Sequence, residues 1–166
     1  MIKKIAYFFF KKISPVGYAR WIGVTVGNNC RLINVDYSSE PYLISLGDHV
    51  SATLVRFETH DGGVWVIRGE NPKLDIVKPI KVGNNVFLGY GAIIMPGVTI
   101  GNNVVIGARS MVTKDIPCDT VAVGVPARVI KSIDDYKEKS ISVGDDTKMM
   151  IFDEKKDYYQ RKYCGG

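Results

Sequence analysis

Cysteine, histidine and long apolar runs are scarce in this sequence. Its 166 residues include three cysteines and two histidines. Cys30, Cys118 and Cys164 are odd in number and share no metal-ligand spacing, so we expect a reducing compartment rather than a disulfide framework. We find no cleavable signal and no run of about 20 apolar residues, so we expect a cytoplasmic protein without a membrane span.

Nucleotide-binding and nucleic-acid-binding signatures are also missing. There is no GxGxxG motif and no N-terminal βαβ unit, which disfavours the sugar-nucleotide enzymes that pair such a domain with a β-helix. The net charge of +5 favours phosphate-bearing ligands but is too small to indicate a nucleic-acid partner. The length suits one domain with short appendages: an N-terminal segment (1–20), a body (21–131) and a polar, partly helical tail (132–166).

What is present is a six-residue repeat over residues 76–117. The first position of each six is aliphatic: Ile76, Val82, Leu88, Ile94, Ile100, Ile106 and Val112. A period of six is the signature of a parallel β-helix, in which a tight turn follows each short strand. Three sixes make a triangular coil of eighteen residues. The sequence therefore predicts that Val82 stacks on Ile100, and Leu88 on Ile106, at the usual strand spacing of about 4.8 Å.

Two segments interrupt this repeat. Residues 23–30 echo residues 97–104 almost letter for letter, so the repeat begins near Val24. The register blurs at residues 34–40, which we interpret as a bulging loop. It breaks most strongly over residues 57–75, which predicts an ejected loop at about 61–75. Long loops in compact domains are mostly functional or disordered.

His60 lies at the root of the predicted loop. Because imidazole titrates near neutral pH, His60 is a candidate general base for a hydroxyl or amine. Asp61 and Glu58 are close enough in sequence to orient it, and Glu58 and Trp65 are candidate contacts to an acceptor. His49, in the corner sequence GDHV, is expected to be an exposed turn residue.

The hexads, the loop after His60 and the closing run VTKDIPCDTVAVGVPARVI resemble the hexapeptide-repeat acyltransferases. Within that family the resemblance is closest to the galactoside, maltose and surface-polysaccharide acetyltransferases, and it covers residues 22–133. It implies an all-β fold, a left-handed parallel β-helix with short helical appendages. It also implies a homotrimer with acetyl-coenzyme A in clefts between subunits, and no metal.

The resemblance also implies roles for individual residues. His60 falls at the position of the family's general base, and the backbone amide of Tyr90 at that of the donor to the thioester oxygen. The amide of Ala108 would meet the pantetheine arm. Arg109 stands where the family commonly has glycine, so it would either add a phosphate contact or narrow the cofactor channel. The cationic positions near the cofactor phosphates correspond to Lys114, Arg128 and Lys131.

Together these features predict an O-acetyltransferase that uses acetyl-coenzyme A. The expected acceptor is a sugar hydroxyl of a cell-surface glycan or its lipid-linked precursor, attacked directly without a covalent enzyme intermediate. The aromatic and basic segment 1–20 fits either a helix packed on the β-helix or weak association with the inner face of the membrane.

Three alternatives remain open at this stage. The first is an N-acetyltransferase that uses the same base on an amino sugar. The second is a zinc carbonic anhydrase, whose tetrahedral site would need about three histidine ligands where this chain has two. The third is a non-enzymatic β-helix scaffold, which would not bind coenzyme A.

Overall fold

Short parallel strands arranged as a triangular coil form the body of the protein. The computed structural model describes residues 10–165. Within that range the strands are β1 (Thr25–Val26), β2 (Arg31–Ile33), β3 (Ile44–Leu46), β4 (Val50–Thr53), β5 (Arg56–Phe57), β6 (Ile80–Val82), β7 (Val86–Leu88), β8 (Ile93–Ile94), β9 (Thr99–Ile100), β10 (Val104–Ile106), β11 (Met111–Val112), β12 (Thr120–Gly124) and β13 (Ala127–Ser132). They form three sheets. Face A contains β1, β3, β6 and β9, face B contains β2, β4, β7, β10, β12 and β13, and face C contains β5, β8 and β11.

The predicted eighteen-residue coil is confirmed by the strand register. Val82 pairs with Ile100, and Leu88 pairs with Ile106, in parallel ladders. Within β7 the outer side chain of Phe87 is 45% exposed, whereas the side chains on either side of it are buried. This alternation explains why each six contributes two apolar residues to the interior.

The interior of the coil is a continuous column of aliphatic side chains. Ile80, Leu88, Ile94 and Ile106 are completely inaccessible to solvent. Full burial of one such side chain contributes roughly 1.5–3 kcal/mol to folding. The repeat of these side chains from coil to coil is therefore the main source of stability in the body.

Insertions are confined to one corner of the triangle, the corner between faces C and A. In the regular coil this corner is short: Ile93 on face C lies six residues before Thr99 on face A. The corresponding step is nine residues in the first coil, from Asp36 to Ser45, and 25 residues in the second, from Arg56 to Lys81. The chain therefore carries its extra residues on a single edge of the β-helix.

The first insertion is shorter than the sequence predicts. Val35 and Tyr37 are buried in the core, and Asp36 pairs with Arg56 of the next coil. The interpretation of residues 34–40 as a bulging loop is therefore wrong for residues 34–37, which form the face C edge of the first coil. The polar Asp36 points outward between two core residues and obscured the alternation. Residues 38–43 leave the coil and end in a 3₁₀ helix, Pro41–Leu43.

The second insertion lies between β5 and β6. It contains one 3₁₀ helix, Gly62–Ile67, in which Val64 is buried. Trp65 is 76% exposed. The two ends of the insertion are joined where the backbone of His60 bridges to Val77.

A helix and a hairpin mark the two ends of the coil. Helix α1 (Pro15–Trp21) buries Tyr18 and Ala19 in the same hydrophobic cluster as the first strands. The guanidinium of Arg20 donates to the carbonyl oxygens of Val26 and Gly27 at 2.9 and 2.8 Å. At the other end, β12 and β13 form an antiparallel pair. Residues 1–9, and with them much of the predicted N-terminal segment, lie outside the described residues, and no helix of residues 10–165 is long and apolar enough to cross a membrane.

Residues from Lys137 onward form a second compact unit. Helices α2 (Ile133–Val143) and α3 (Phe152–Cys164) flank a turn centred on Asp145. The ammonium of Lys162 and the hydroxyl of Tyr158 donate to the Asp145 carboxylate, at 2.5 and 2.9 Å. These two bonds, that of Lys162 first, lower the pKa of Asp145.

Substitution of Gly83 by alanine should destabilise the protein by about 1–3 kcal/mol, the usual cost of overpacking. A Cβ atom at Gly83 would lie 2.8 Å from the backbone of Gly101 in the next coil, so the coils would have to separate. The measurement is the free energy of unfolding in urea.

The control is Gly69→Ala, because a Cβ atom at Gly69 meets no atom within 4 Å. We expect this variant to be as stable as the parent or slightly more stable. Equal stability of the Gly83 and Gly69 variants would contradict the close packing of successive coils.

Candidate active site

His60 is held by backbone bonds at the corner between faces C and A. It follows β5 closely. Just after that strand, the amide of Glu58 donates to the carbonyl of Ile94 in the next coil at 2.9 Å. On its other side the amide of Asp61 donates to Ile76 at 2.9 Å, which closes the base of the second insertion. The imidazole is 34% exposed. Its backbone is therefore fixed while its ring remains accessible.

Three oxygen atoms from the first insertion surround one nitrogen of this ring. The Oγ atoms of Ser38 and Ser39 each lie 3.2 Å from Nδ1 of His60. An Oε2 atom of Glu40 lies 3.4 Å from the same nitrogen. Within residues 10–165, Nε2 takes part in no hydrogen bond. The insertions of two successive coils thus meet at one imidazole.

The carboxylate of Glu40 is held in place by Thr59. The buried hydroxyl of Thr59 donates to its Oε2 atom at 2.5 Å. This bond is the main reason that the pKa of Glu40 lies below its ordinary value, with smaller contributions from Ser39 and His60. Because the Glu40 side chain is only 18% exposed, it is a charged group largely covered by its neighbours.

The sequence analysis gave the orienting role to Asp61 or Glu58, whereas the carboxylate that lies against the imidazole is that of Glu40. Asp61 accepts a hydrogen bond from the amide of Gly63 at 2.8 Å, so it caps the 3₁₀ helix instead of contacting the imidazole. Adjacent residues in an extended segment point in opposite directions, which is why Asp61 turns away from His60. The residues that do contact the ring, 38–40, were missed. The available signal was that both insertions interrupt the repeat at the same corner.

Glu58 also has partners other than a substrate. One of its oxygens accepts from Nε of Arg56, and the other accepts from the hydroxyl of Ser38 at 3.2 Å. Arg56 in turn donates to Asp36 at 2.8 Å. Contacts of Glu58 and Trp65 with an acceptor remain predictions.

His49 lies at a different corner, between faces A and B. Its φ of 56° matches that of the stacked corner residues Asn85 and Asn103, both at 55°. Its Nδ1 atom is 2.8 Å from Oδ1 of Asn85. The side chain is exposed, as predicted, and far from the corner of His60. Among residues 10–165, no three histidine, cysteine or acidic side chains are grouped so that they could hold a metal ion.

The third corner, between faces B and C, presents two backbone amides. Residues 89–92 and 107–110 form equivalent turns, each closed by a bond from the fourth amide to the first carbonyl, at 3.1 and 3.3 Å. Gly91 and Arg109 have positive φ values of 70° and 55°, the pattern of a type II turn. The amides of Tyr90 and Ala108, one coil apart, donate to no acceptor among the described residues.

Arg109 covers this corner. Its guanidinium lies 5.9 Å from the centre of the Tyr90 ring, within range of a cation–π contact. Its backbone amide donates to the carbonyl of Tyr90 at 2.8 Å. The side chain therefore lies against the Tyr90 ring, and its contact with a cofactor phosphate or its narrowing of the cofactor channel remains a prediction.

Two of the three predicted phosphate-binding cations are brought together. Lys114 and Arg128 line one shallow cavity of about 330 Å³ on the last coil, together with Asp115. Arg128 also donates to the carbonyl of Ala127 at 2.9 Å. Lys131 is half-buried further along β13 and does not line this cavity.

Within one chain, His60 and Tyr90 are separated by the width of face C. Arg56 and Phe57 of β5 pair in parallel with Ile93 and Ile94 of β8. His60 follows the end of β5, whereas Tyr90 precedes the start of β8. Because the two strands run in the same direction, the imidazole and the amide lie at opposite edges of the face.

Comparison with known proteins adds to this geometry. Residues 79–114 match the model of the bacterial transferase hexapeptide family (six repeats). The chain is 48% identical to protein CapG of Staphylococcus aureus over 166 residues, 98% of this chain and 96% of CapG. The chain belongs to the hexapeptide-repeat acyltransferase family. The fold of this family, seen in its structural neighbours, is the left-handed parallel β-helix.

Two other relatives of this acyltransferase match over shorter lengths. Galactoside O-acetyltransferase of Escherichia coli (strain K12) is 63% identical over 57 residues, 34% of this chain and 28% of that enzyme. A hexapeptide-repeat acetyltransferase from Vibrio cholerae O1 biovar eltor, solved with acetyl-coenzyme A, superposes with a TM-score of 0.60 at 32% identity. That alignment covers 66% of this chain and 60% of that one. The chain thus spans less than two thirds of either relative.

Replacement of Glu40 by glutamine should remove stability in a pH-dependent way. Because the folded protein lowers the pKa of Glu40, its ionised form stabilises the fold above the ordinary carboxyl pKa, and this contribution is lost as the pH falls. The difference in unfolding free energy between parent and variant should be larger at about pH 7 than at about pH 3.5. A difference that grew on acidification would contradict the hydrogen-bonded, ionised state of Glu40.

Proposed function

We propose that this acyltransferase transfers an acetyl group from acetyl-coenzyme A to a sugar hydroxyl. Membership of the family supports acetyl transfer, and the Vibrio cholerae neighbour was solved with acetyl-coenzyme A. The Escherichia coli relative, named a galactoside O-acetyltransferase, supports a hydroxyl acceptor. The observation that carries the proposal is His60, an accessible imidazole fixed on its Nδ1 side and, among residues 10–165, without a hydrogen-bond partner at Nε2.

His60 would act as general base. Nε2 takes the proton from the acceptor hydroxyl while the acceptor oxygen attacks the carbonyl carbon of the thioester. The carbon–sulfur bond then breaks, and the proton passes to the departing thiolate. A covalent enzyme intermediate would call for a nucleophilic side chain at Nε2, the nitrogen that takes the proton. Among the described residues, the serine hydroxyls that contact His60 lie at Nδ1 instead.

The amides at the corner between faces B and C would bind the thioester arm. The Tyr90 amide is a fixed donor for the oxygen that becomes negative during attack, an interaction typically worth about 2.7–4 kcal/mol. The Ala108 amide, one coil further, would bind the pantetheine arm. Lys114 and Arg128 would bind the phosphates, because their charges surround one cavity. Contacts from Arg109 and Lys131 to the same cofactor belong to this proposal.

We further propose a homotrimer whose sites lie between subunits. His60 and Tyr90 lie at opposite edges of face C, so a single chain does not offer both groups to one thioester. In a cyclic trimer, the edge of one subunit that carries His60 can face the neighbouring edge that carries Tyr90. Each subunit would then contribute to two sites.

The acceptor is proposed to be a glycan or lipid-linked precursor of a cell-surface polysaccharide, met at the cytoplasmic face of the membrane. The insertions at residues 38–40 and 61–75 border His60 and would form its pocket, with Glu58 and Trp65 as candidate contacts. Transfer to the amine of an amino sugar would instead identify the protein as an N-acetyltransferase. A panel of hydroxyl and amino sugars, with coenzyme A release as the readout, distinguishes the two.

His60→Ala should lower kcat for coenzyme A release by about 10²–10⁴, the usual loss when a general base is removed. The Michaelis constant for acetyl-coenzyme A should change little, because His60 does not bind the cofactor in this scheme. Steady-state kinetics with the best acceptor of the panel measures both quantities.

His49→Asn is the matched control. Asparagine occupies the equivalent corner at positions 85 and 103 with nearly the same φ, so this variant should fold and turn over like the parent. Parental activity in His60→Ala would overturn the catalytic role of His60, and loss of activity in both variants would indicate a structural effect.

The role of the Tyr90 amide can be tested by Tyr90→Pro. Proline is favoured at the second position of a type II turn, and this chain already has Pro96 there in the turn of residues 95–98. The substitution therefore removes the N–H group while keeping the turn. It should lower kcat by about 10²–10³, whereas Tyr90→Ala, which keeps the amide, should retain most of the activity.

Mixing the two inactive variants tests the location of the site. When His60→Ala and Tyr90→Pro chains assemble at random, about a quarter of intersubunit sites receive both intact groups. Co-expression should therefore restore about a quarter of parental activity. Complete absence of restored activity in assembled mixed oligomers would place both groups in one chain and contradict the shared site.

A further inference from the structure

We propose that Ser38 and Glu40 select one tautomer of His60, the form with the proton on Nδ1 and a free lone pair on Nε2. This proposal rests on the proposed function, since it explains how His60 is prepared to act as a base. Glu40 is the positioning residue of the group. It acts through the imidazole and does not itself contact the acceptor.

The direction of the Ser38 hydroxyl is the first part of the argument. The hydroxyl of Ser38 donates to Oε2 of Glu58 at 3.2 Å. Since a hydroxyl has one proton, the Ser38 oxygen is left with only lone pairs to offer to Nδ1 of His60. The hydroxyl of Ser39, 3.2 Å from the same nitrogen, fits either tautomer of the ring.

Glu40 offers the same kind of group. Its carboxylate remains ionised because Thr59 donates to it and lowers its pKa. An ionised carboxylate accepts hydrogen bonds and donates none. The oxygens of Ser38 and Glu40 at Nδ1 are therefore both acceptors. They are satisfied only when Nδ1 carries the proton, so Nε2 is left unprotonated.

The coil geometry explains why these residues reach the ring. Asp36 of the first coil pairs with Arg56 of the second, so the segments that follow them start one above the other. Both leave the coil at the same corner. The three extra residues of the first insertion consequently lie against the first residues of the second. A regular six-residue corner would provide no side chain at this position.

The tautomer can be read directly by ¹⁵N NMR. The chain has two histidines, so a histidine-labelled sample gives two imidazole patterns, and His49→Asn identifies that of His60. Once the pH is raised until the imidazole signals no longer change, the long-range proton–nitrogen spectrum should show His60 protonated on Nδ1. A parent protein protonated on Nε2 overturns the proposal, whatever its activity.

Glu40→Gln tests the positioning residue. The amide of glutamine can donate to Nδ1, so the His60 pattern should move toward the Nε2-protonated form. The value of kcat should fall by between about 10-fold and 10⁴-fold, the larger figure being the cost of a wrong tautomer in a serine protease. The Michaelis constant for acetyl-coenzyme A should stay within about twofold.

Glu138→Gln, the same substitution on an exposed face of α2, is the matched control and should keep both the parental tautomer and the parental kcat. If Glu40→Gln keeps the Nδ1 proton and full kcat, the proposal is wrong. The two proposals fail in different experiments. If the proposed function is wrong, His60→Ala retains activity. The NMR result for the parent decides the tautomer in either case.

Discussion

The register of one coil on the next is the constraint on which the rest of the structure depends. Parallel ladders join each coil to its neighbours, so every residue has a fixed partner one coil away. The fit is close enough that a Cβ atom at Gly83 would collide with the backbone of Gly101. Because strands this short hold together only through such stacking, irregular residues cannot be inserted within a face without breaking the ladder.

Irregular residues therefore collect at a corner, and the proposed general base lies among them. The extra residues of both insertions emerge between faces C and A, one coil apart, and there His60 meets Glu40. The two other corners carry no insertion. One presents repeated asparagine and histidine side chains, and the other presents the amides of Tyr90 and Ala108. The triangular section thus gives three edges, of which two carry the groups proposed to bind and activate the reactants.

The same rigidity separates those two edges. Face C cannot bend to bring His60 to Tyr90, because its strands are locked between the coils above and below. A rigid body of this kind forms a composite site by association and not by closure of a lid. The proposed trimer and the proposed preparation of His60 therefore address different requirements. The first brings the reacting groups together, and the second sets the protonation of the base within one chain.

The sequence by itself determined the repeat, the eighteen-residue coil and the identity of the interior residues, because stacking imposes a strict period that single residues reveal. It also made His60 a candidate site residue, through the long break that follows it. It did not reveal Glu40, and it gave the orienting role to Asp61 or Glu58, since nearness along the chain is a poor guide where neighbouring side chains point apart. Only the tertiary structure decided that partner, because contact between the two insertions depends on the stacking of coils twenty residues apart.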